Sequence, residues 1–123
     1  MIDQLLLLLV LLQVKHWYVD FVDQTTAEIA SKGIYGDQSG VNHSIKHAIG
    51  TMLCVLAITG VDYIALTGVV AFVDFVLHYH IDWFKMQYSN NNNNRTKQFW
   101  THLGADQMAH QLTYIFIAWM VFA

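Results

Sequence analysis

YIALTGVVAFV, residues 63–73, runs without a break into DFVLHYHID, residues 74–82. The first part is apolar all round, which a water-exposed amphipathic helix is not. The second part sets Asp74, His78 and Asp82 four residues apart, so they stack on one helix face. Ionisable groups within a lipid-compatible helix have to face other protein or a polar cavity. This stretch therefore predicts a membrane-crossing helix with an inward polar column at one end.

Working outward, the third segment spans Asp62 to Tyr88, and three others resemble it. The first runs from Ile2 to Val22 and holds LLLLLVLL at 5–12; the second runs from His43 to Gly60; the fourth runs from Lys97 to the end and holds YIFIAWMVFA at 114–123. Each is long enough for a hydrocarbon core of roughly 30 Å at about 1.5 Å per residue. The expected fold is all-α: one domain over residues 1–123, an integral membrane four-helix antiparallel bundle. A soluble bundle is disfavoured because LLLLLVLL, YIALTGVVAFV and YIFIAWMVFA have no polar stripe. No Lys or Arg precedes LLLLLVLL and no small-residue cleavage site follows it, so KHWYVDFVDQ (15–24) is read as a retained helix rather than the sequel to a signal peptide.

Composition agrees. Of 123 residues, 55% are hydrophobic and 12% charged, against a usual charged share of about 25%. This excludes disorder. Net charge is −3 with six Lys and Arg, which excludes a basic nucleic-acid-binding face. The single cysteine, Cys54, allows no disulfide within the chain and no cysteine-based zinc site.

The connections differ. Residues 25–42 are polar and long for a bundle loop, which points to function or a short surface helix; Glu28 within them has no partner legible from sequence. Gly60-Val61 reads as a tight turn with Asp62 as N-cap, and SNNNNNR (89–95) as a solvated spacer. Gly50, Gly60 and Gly68 read as packing or turn positions. Lys15, Lys32, Lys46, Lys85, Arg95 and Lys97 all fall towards one membrane face in an up-down-up-down arrangement. The positive-inside rule then places both termini on the non-cytoplasmic side.

The chemistry lies in His and Asp. His16 and Asp20, His43 and His47, Asp74–His78–Asp82, and His102–Asp106–His110 give six pairs at spacing four, where fifteen scattered residues would give about two on that helical spacing. The columns occupy the C-terminal ends of the first and third helices and the N-terminal ends of the second and fourth. In an antiparallel bundle those four ends share one depth. Imidazole nitrogen and carboxylate oxygen suit a divalent metal, zinc first, with manganese or iron as alternatives, as one or two ions. The expected ligands are His16, Asp20, His43, His47, His78, Asp82, Asp106 and His110. Asp74 and His102 are the weakest members of the columns, and His80 is off their face by about 200°. Gln13, Gln24, Gln107 and Gln111 are expected to support ligands by hydrogen bonds.

These motifs resemble an uncharacterised family of small phage and bacterial membrane proteins, a domain of unknown function. Its pattern is H-x3-D-F-x2-Q, a loop Lys, a His opening the second helix, H-x3-D-W-x-K and D-Q-x2-H. The matching residues are His16, Asp20, Phe21 and Gln24; Lys32; His43 or His47; His78, Asp82, Trp83 and Lys85; Asp106, Gln107 and His110. The resemblance covers nearly the whole chain and implies a helical membrane protein. More distantly, the chain is similar to small inner-membrane proteins described as metal-dependent hydrolases.

The expected function is a membrane-embedded metal-dependent hydrolase acting on a lipid-linked phosphate ester or amide at the cytoplasmic leaflet of the bacterial host inner membrane. Asp20 or Asp106 is the candidate base, and Lys85, with Lys32, would steer an anionic headgroup. Membrane lipid is the expected partner, homo-oligomers are allowed, and nucleic acid is excluded. The competing reading is a non-enzymatic phage membrane protein, either a proton or metal-ion pathway or a holin-like permeabiliser. A heme protein using two His is a third, and it leaves the Asp residues unexplained.

Overall fold

Segments apolar on all faces satisfy their backbone polar groups internally as helices, and the computed structural model, which describes residues 1–89 and 97–123, is helical in every element. α1 (Ile2–Trp17) continues into one wide π turn (Tyr18–Val22), where Asp23 N–H donates to Tyr18 O at 2.8 Å. Then follow α2 (Thr26–Ser31), α3 (Gln38–Thr59), a 3-10 turn (Val61–Tyr63), α4 (Ile64–Ser89) and α5 (Lys97–Phe122). The asparagine run at 90–94 and Arg95, read as a spacer, lie outside the described residues.

Three stretches are long and apolar enough to cross a membrane: Ile2–Val22, Gln38–Thr59 and Val61–Tyr88. The expected fourth span, α5, matches α4 in length but not in apolarity. Its first 15 residues carry Lys97, His102, Asp106, Gln107, His110 and Gln111.

α1 packs on α3 and α5, α3 on α4, and α4 on α5; α2 lies on α3. One apolar cluster joins Leu8, Leu12, Val55, Val70, Tyr114, Ile117 and Ala118. It draws on the chain's first 12 residues in α1 and the N-terminal half of α4, and on the C-terminal halves of α3 and α5, so neighbouring helices run in opposite directions. Among the described residues, sixteen polar or charged side chains are buried against nine hydrophobic ones, while Leu7, Val10, Phe72, Leu112 and Phe116 are exposed. A water-soluble domain buries its apolar side chains preferentially. The inverted pattern suits a lipid surround.

Local chemistry moves several expected boundaries. α3 starts at Gln38 rather than near His43, because the Asp37 side chain caps it by accepting from Ser39 N–H at 3.0 Å. Asp62 is not an N-cap: it sits inside the 3-10 turn that Gly60 opens at φ 79°, a conformation favouring glycine. Gly50 is a packing site, whereas a Cβ at Gly68 would meet nothing within 4 Å. The loop after α1 does form a short helix, α2, nucleated by a capping box in which Thr25 Oγ1 accepts from Glu28 N–H at 3.1 Å.

Candidate metal centre

The polar interior is layered. Nearest the apolar cluster, Lys15 Nζ donates to Asp74 Oδ2 at 3.1 Å, Tyr114 Oη at 3.0 Å and His47 Nδ1 at 3.1 Å. Three ammonium hydrogens thus meet three acceptors. Thr51 Oγ1 adds a 2.5 Å bond to the same Asp74 oxygen. Sequence position alone puts Lys15 at the membrane rim; it is instead buried beneath the histidines, because a buried Asp74 requires a counter-charge. It no longer counts towards the positive-inside tally.

The next layer gathers the His and Asp columns. His43 Nε2 lies 2.9 Å from Asp20 Oδ1 and 3.7 Å from Asp82 Oδ2; His78 Nε2 lies 3.9 Å and 3.1 Å from the same two oxygens. His47 Nε2 is 2.7 Å from Asp20 Oδ1, and His110 Nε2 is 3.1 Å from Asp82 Oδ1. Ligand atoms of Asp20, His43, His47 and His78 fall within 4.8 Å of one another, as do those of His78, Asp82 and His110. Ligands about 2.0–2.1 Å from a tetrahedral zinc stand about 3.3 Å apart, so the cluster has the dimensions of a metal shell.

Hydrogen bonding separates the donors. His78 Nδ1 is buried without a hydrogen-bond partner, and His43 Nε2, His78 Nε2, Asp82 Oδ2 and Asp106 Oδ1, though 2.9–3.3 Å from an opposite group, make no well-directed hydrogen bond. Such atoms are costly unless something fills their lone pairs. His43 Nδ1 lies 3.2 Å from Glu28 Oε2. The carboxylate only accepts, so Nδ1 carries the proton; Nε2, 2.9 Å from Asp20 Oδ1, would present its lone pair with an ion held between the two, the arrangement of a metal-bound imidazole. His47 is turned the other way. Lys15 donates to its Nδ1, leaving Nε2–H to donate to Asp20. His16 is likewise occupied at both nitrogens, by Tyr114 Oη at 2.9 Å and Gln107 Oε1 at 2.7 Å.

The remaining expected residues divide. Asp106 stands at the edge, its Oδ1 3.3 Å from His110 Nε2 and its Oδ2 accepting from Gln107 Nε2 at 3.1 Å. Lys85 lies outside the cluster, on a cavity of about 360 Å³ between α4 and α5 that Asp106 and His102 also line. Lys32 Nζ reaches within 3.7 Å of Asp82 Oδ2. His80 points away, to Tyr35 Oη and Val76 O. Among the glutamines, Gln107 braces His16 and Asp106, Gln24 donates to Asp20 O at 2.6 Å, and Gln13 is exposed.

Glu28, which has no partner legible from sequence, has two in the fold. It is buried against His43 and accepts from Lys46 Nζ at 2.5 Å. Burial alone would raise its carboxyl, but the Lys46 and Thr25 bonds outweigh it and hold the group below its ordinary range. The signal was the spacing Thr25-x-x-Glu28, a capping box ahead of an apolar run. Lys15, Thr51 and Tyr114 had no comparable signal.

The comparisons with known proteins come down to one family. No curated protein and no solved structure matches the chain. A model described as a protein of unknown function, DUF3307, matches residues 5–123, and the chain belongs to that family.

Proposed function

We propose that this chain is a membrane-embedded metal-dependent hydrolase, built as an antiparallel four-helix membrane bundle with both termini on the non-cytoplasmic side. Its substrate is a lipid-linked phosphate ester or amide at the cytoplasmic leaflet. The observation that carries the reading is the packing of His43 Nε2, His78 Nε2, Asp20 Oδ1 and Asp82 Oδ2 in one buried layer, each nitrogen 2.9–3.9 Å from both oxygens. Charge supports it. Asp20, Asp82 and Asp106 are buried together, Lys32 is the lysine within 4 Å of them among the described residues, and a dication would complete the compensation of their charge.

The residues divide the work. His43, His78, Asp20 and Asp82 hold the ion, and His110 flanks it. His47 and His16, with both nitrogens engaged, hold Asp20 and Gln107 in place rather than ligate. When bound, a divalent ion supplies Lewis acidity and lowers the pKa of water at the site. Asp106 Oδ1, outside the ligand set, takes the proton of the attacking water as the water oxygen bonds to phosphorus or carbonyl carbon; the P–O or C–N bond then breaks and Asp106 returns the proton to the departing oxygen or nitrogen. Lys85 holds the anionic headgroup and Lys32 orients Asp82. An ion or proton pathway is the poorer reading, because the Lys15–Asp74 pair and the Leu8–Leu12–Val55–Val70 cluster lie across its course.

Elemental analysis of detergent-purified protein tests this, in parallel with a His43→Ala, His78→Ala double variant. Stoichiometric zinc, manganese or iron that the variant loses is the expected result. Absence of metal in protein purified without chelator, persisting after metal is added back, overturns the reading.

A further inference from the structure

The metal layer is covered on its loop side. Glu28 binds His43 and Lys46, Tyr35 Oη lies 2.9 Å from His80 Nε2, Gly36 N–H donates to Tyr79 Oη at 2.7 Å, and Gln87 Nε2 donates to Gly33 O at 2.9 Å. These bonds fasten α2 and the following turn across α3 and α4. Between α4 and α5 the surface is different. There a cavity of about 360 Å³ is walled by Ile81, Phe84 and Tyr88 on α4 and by Ala105 and Ala109 on α5. Small residues on α5 facing large ones on α4 leave the gap. Phe84 and Tyr88 are exposed, so the cavity opens on the outer face of the bundle, where lipid would lie.

Two polar features set its direction. Lys85 lines the cavity, the one lysine or arginine to do so among the described residues, and His102 lines it too. Asp106 also lines it, is only 6% exposed, and has its Oδ1 3.3 Å from His110 Nε2, at the edge of the His and Asp layer. An apolar slot thus has a cation on its wall and the edge of the metal layer at its floor. Its volume falls in the range of ligand sites, about 300–1,000 Å³.

We infer that the α4–α5 cavity is the substrate's lateral access site and holds one acyl chain of an anionic phospholipid, with the phosphate at Lys85 and the scissile bond beside Asp106. The inference rests on the hydrolase reading for the last clause only. Chain and headgroup binding need neither metal nor turnover.

Photolabelling tests it. The purified full chain is placed in phosphatidylcholine vesicles containing phosphatidylglycerol with a diazirine on one acyl chain, and labelled peptides are mapped. The expected label concentrates on residues 81–88 and 102–109. Filling the cavity with Ala109→Leu lowers it by about tenfold, while Ala109→Ser, which keeps the space, does not. Lys85→Gln removes the preference for phosphatidylglycerol over an equivalent phosphatidylcholine probe. Unlabelled phosphatidylglycerol competes and free glycerol phosphate does not. Label spread evenly over the outer faces of α1 and α3, or competition by glycerol phosphate alone, overturns the inference. Because the wild-type map is decisive, a misfolded Ala109→Leu leaves the test intact. Labelling of the cavity in protein that binds no metal sinks the hydrolase reading and not this site; the reverse result sinks this site alone.

Discussion

Glu28 Oε2 accepts from His43 Nδ1 at 3.2 Å while Glu28 Oε1 accepts from Lys46 Nζ at 2.5 Å, so one carboxylate on α2 sets the direction of a histidine on α3. Partners of this kind raise ligand basicity and fix the ring, and their loss costs about 10–100-fold in metal affinity. Glu28→Ala is expected to weaken zinc binding by about that factor. Competition with a chromophoric chelator measures it, and unchanged affinity would remove His43 from the ligand set.

The ring orientations separate two classes of histidine. His43→Ala and His78→Ala should abolish stoichiometric metal, whereas His47→Gln, which keeps a donor to Asp20, should retain it with a loss of about tenfold or less. Metal content by elemental analysis decides. Loss of the ion in His47→Gln would show that Lys15 yields its place at Nδ1 and that His47 ligates.

Lys15 and Asp74 are a buried pair, and removing one partner strands the other. Lys15→Met or Asp74→Asn is expected to destabilise by about 3–5 kcal/mol. The double variant Lys15→Met, Asp74→Leu should recover most of that, since replacing both charges by apolar groups is often close to neutral. Thermal unfolding in detergent reads the cycle; additive losses would mean the two charges do not compensate each other.

Gly50 exists to let Lys15 pass. A Cβ there would lie 2.5 Å from Lys15 Cγ and 2.9 Å from its Cδ. Gly50→Ala should cost about 1–3 kcal/mol, and a Lys15→Ala background, which removes both clashing carbons, should abolish that increment. An equal cost in both backgrounds would place the strain elsewhere.

A metal that binds only the folded chain stabilises it by mass action. Zinc at about 100 times its dissociation constant should add about 2.7 kcal/mol, seen as a higher unfolding temperature that a chelator reverses. His78→Ala should show no such response. A zinc shift that survives His78→Ala would point to adventitious surface binding.

Helical class and the residues of the polar layer were legible from spacing. A column at every fourth position has to share a face, and alternating helix direction brings the ends of His16–Asp20, His43–His47, His78–Asp82 and Asp106–His110 to one depth. The fourth segment was less legible, because the polar residues that make α5 part of the layer also lower its apolarity below that of the other three. Glu28 was half legible: its capping spacing was present, but which histidine it would meet depends on how α2 folds back on α3.

Residue order and periodicity alone therefore determined a membrane-suited helical chain with imidazoles and carboxylates gathered at one end. Only the tertiary structure decided which nitrogen of each ring faces the cluster, since that turns on partners far away in sequence: Glu28 for His43, Lys15 for His47, Tyr114 and Gln107 for His16. It also decided that Lys15 belongs to the interior. A lysine next to His16 reads as a rim residue until Asp74, on another helix, is seen to need its charge.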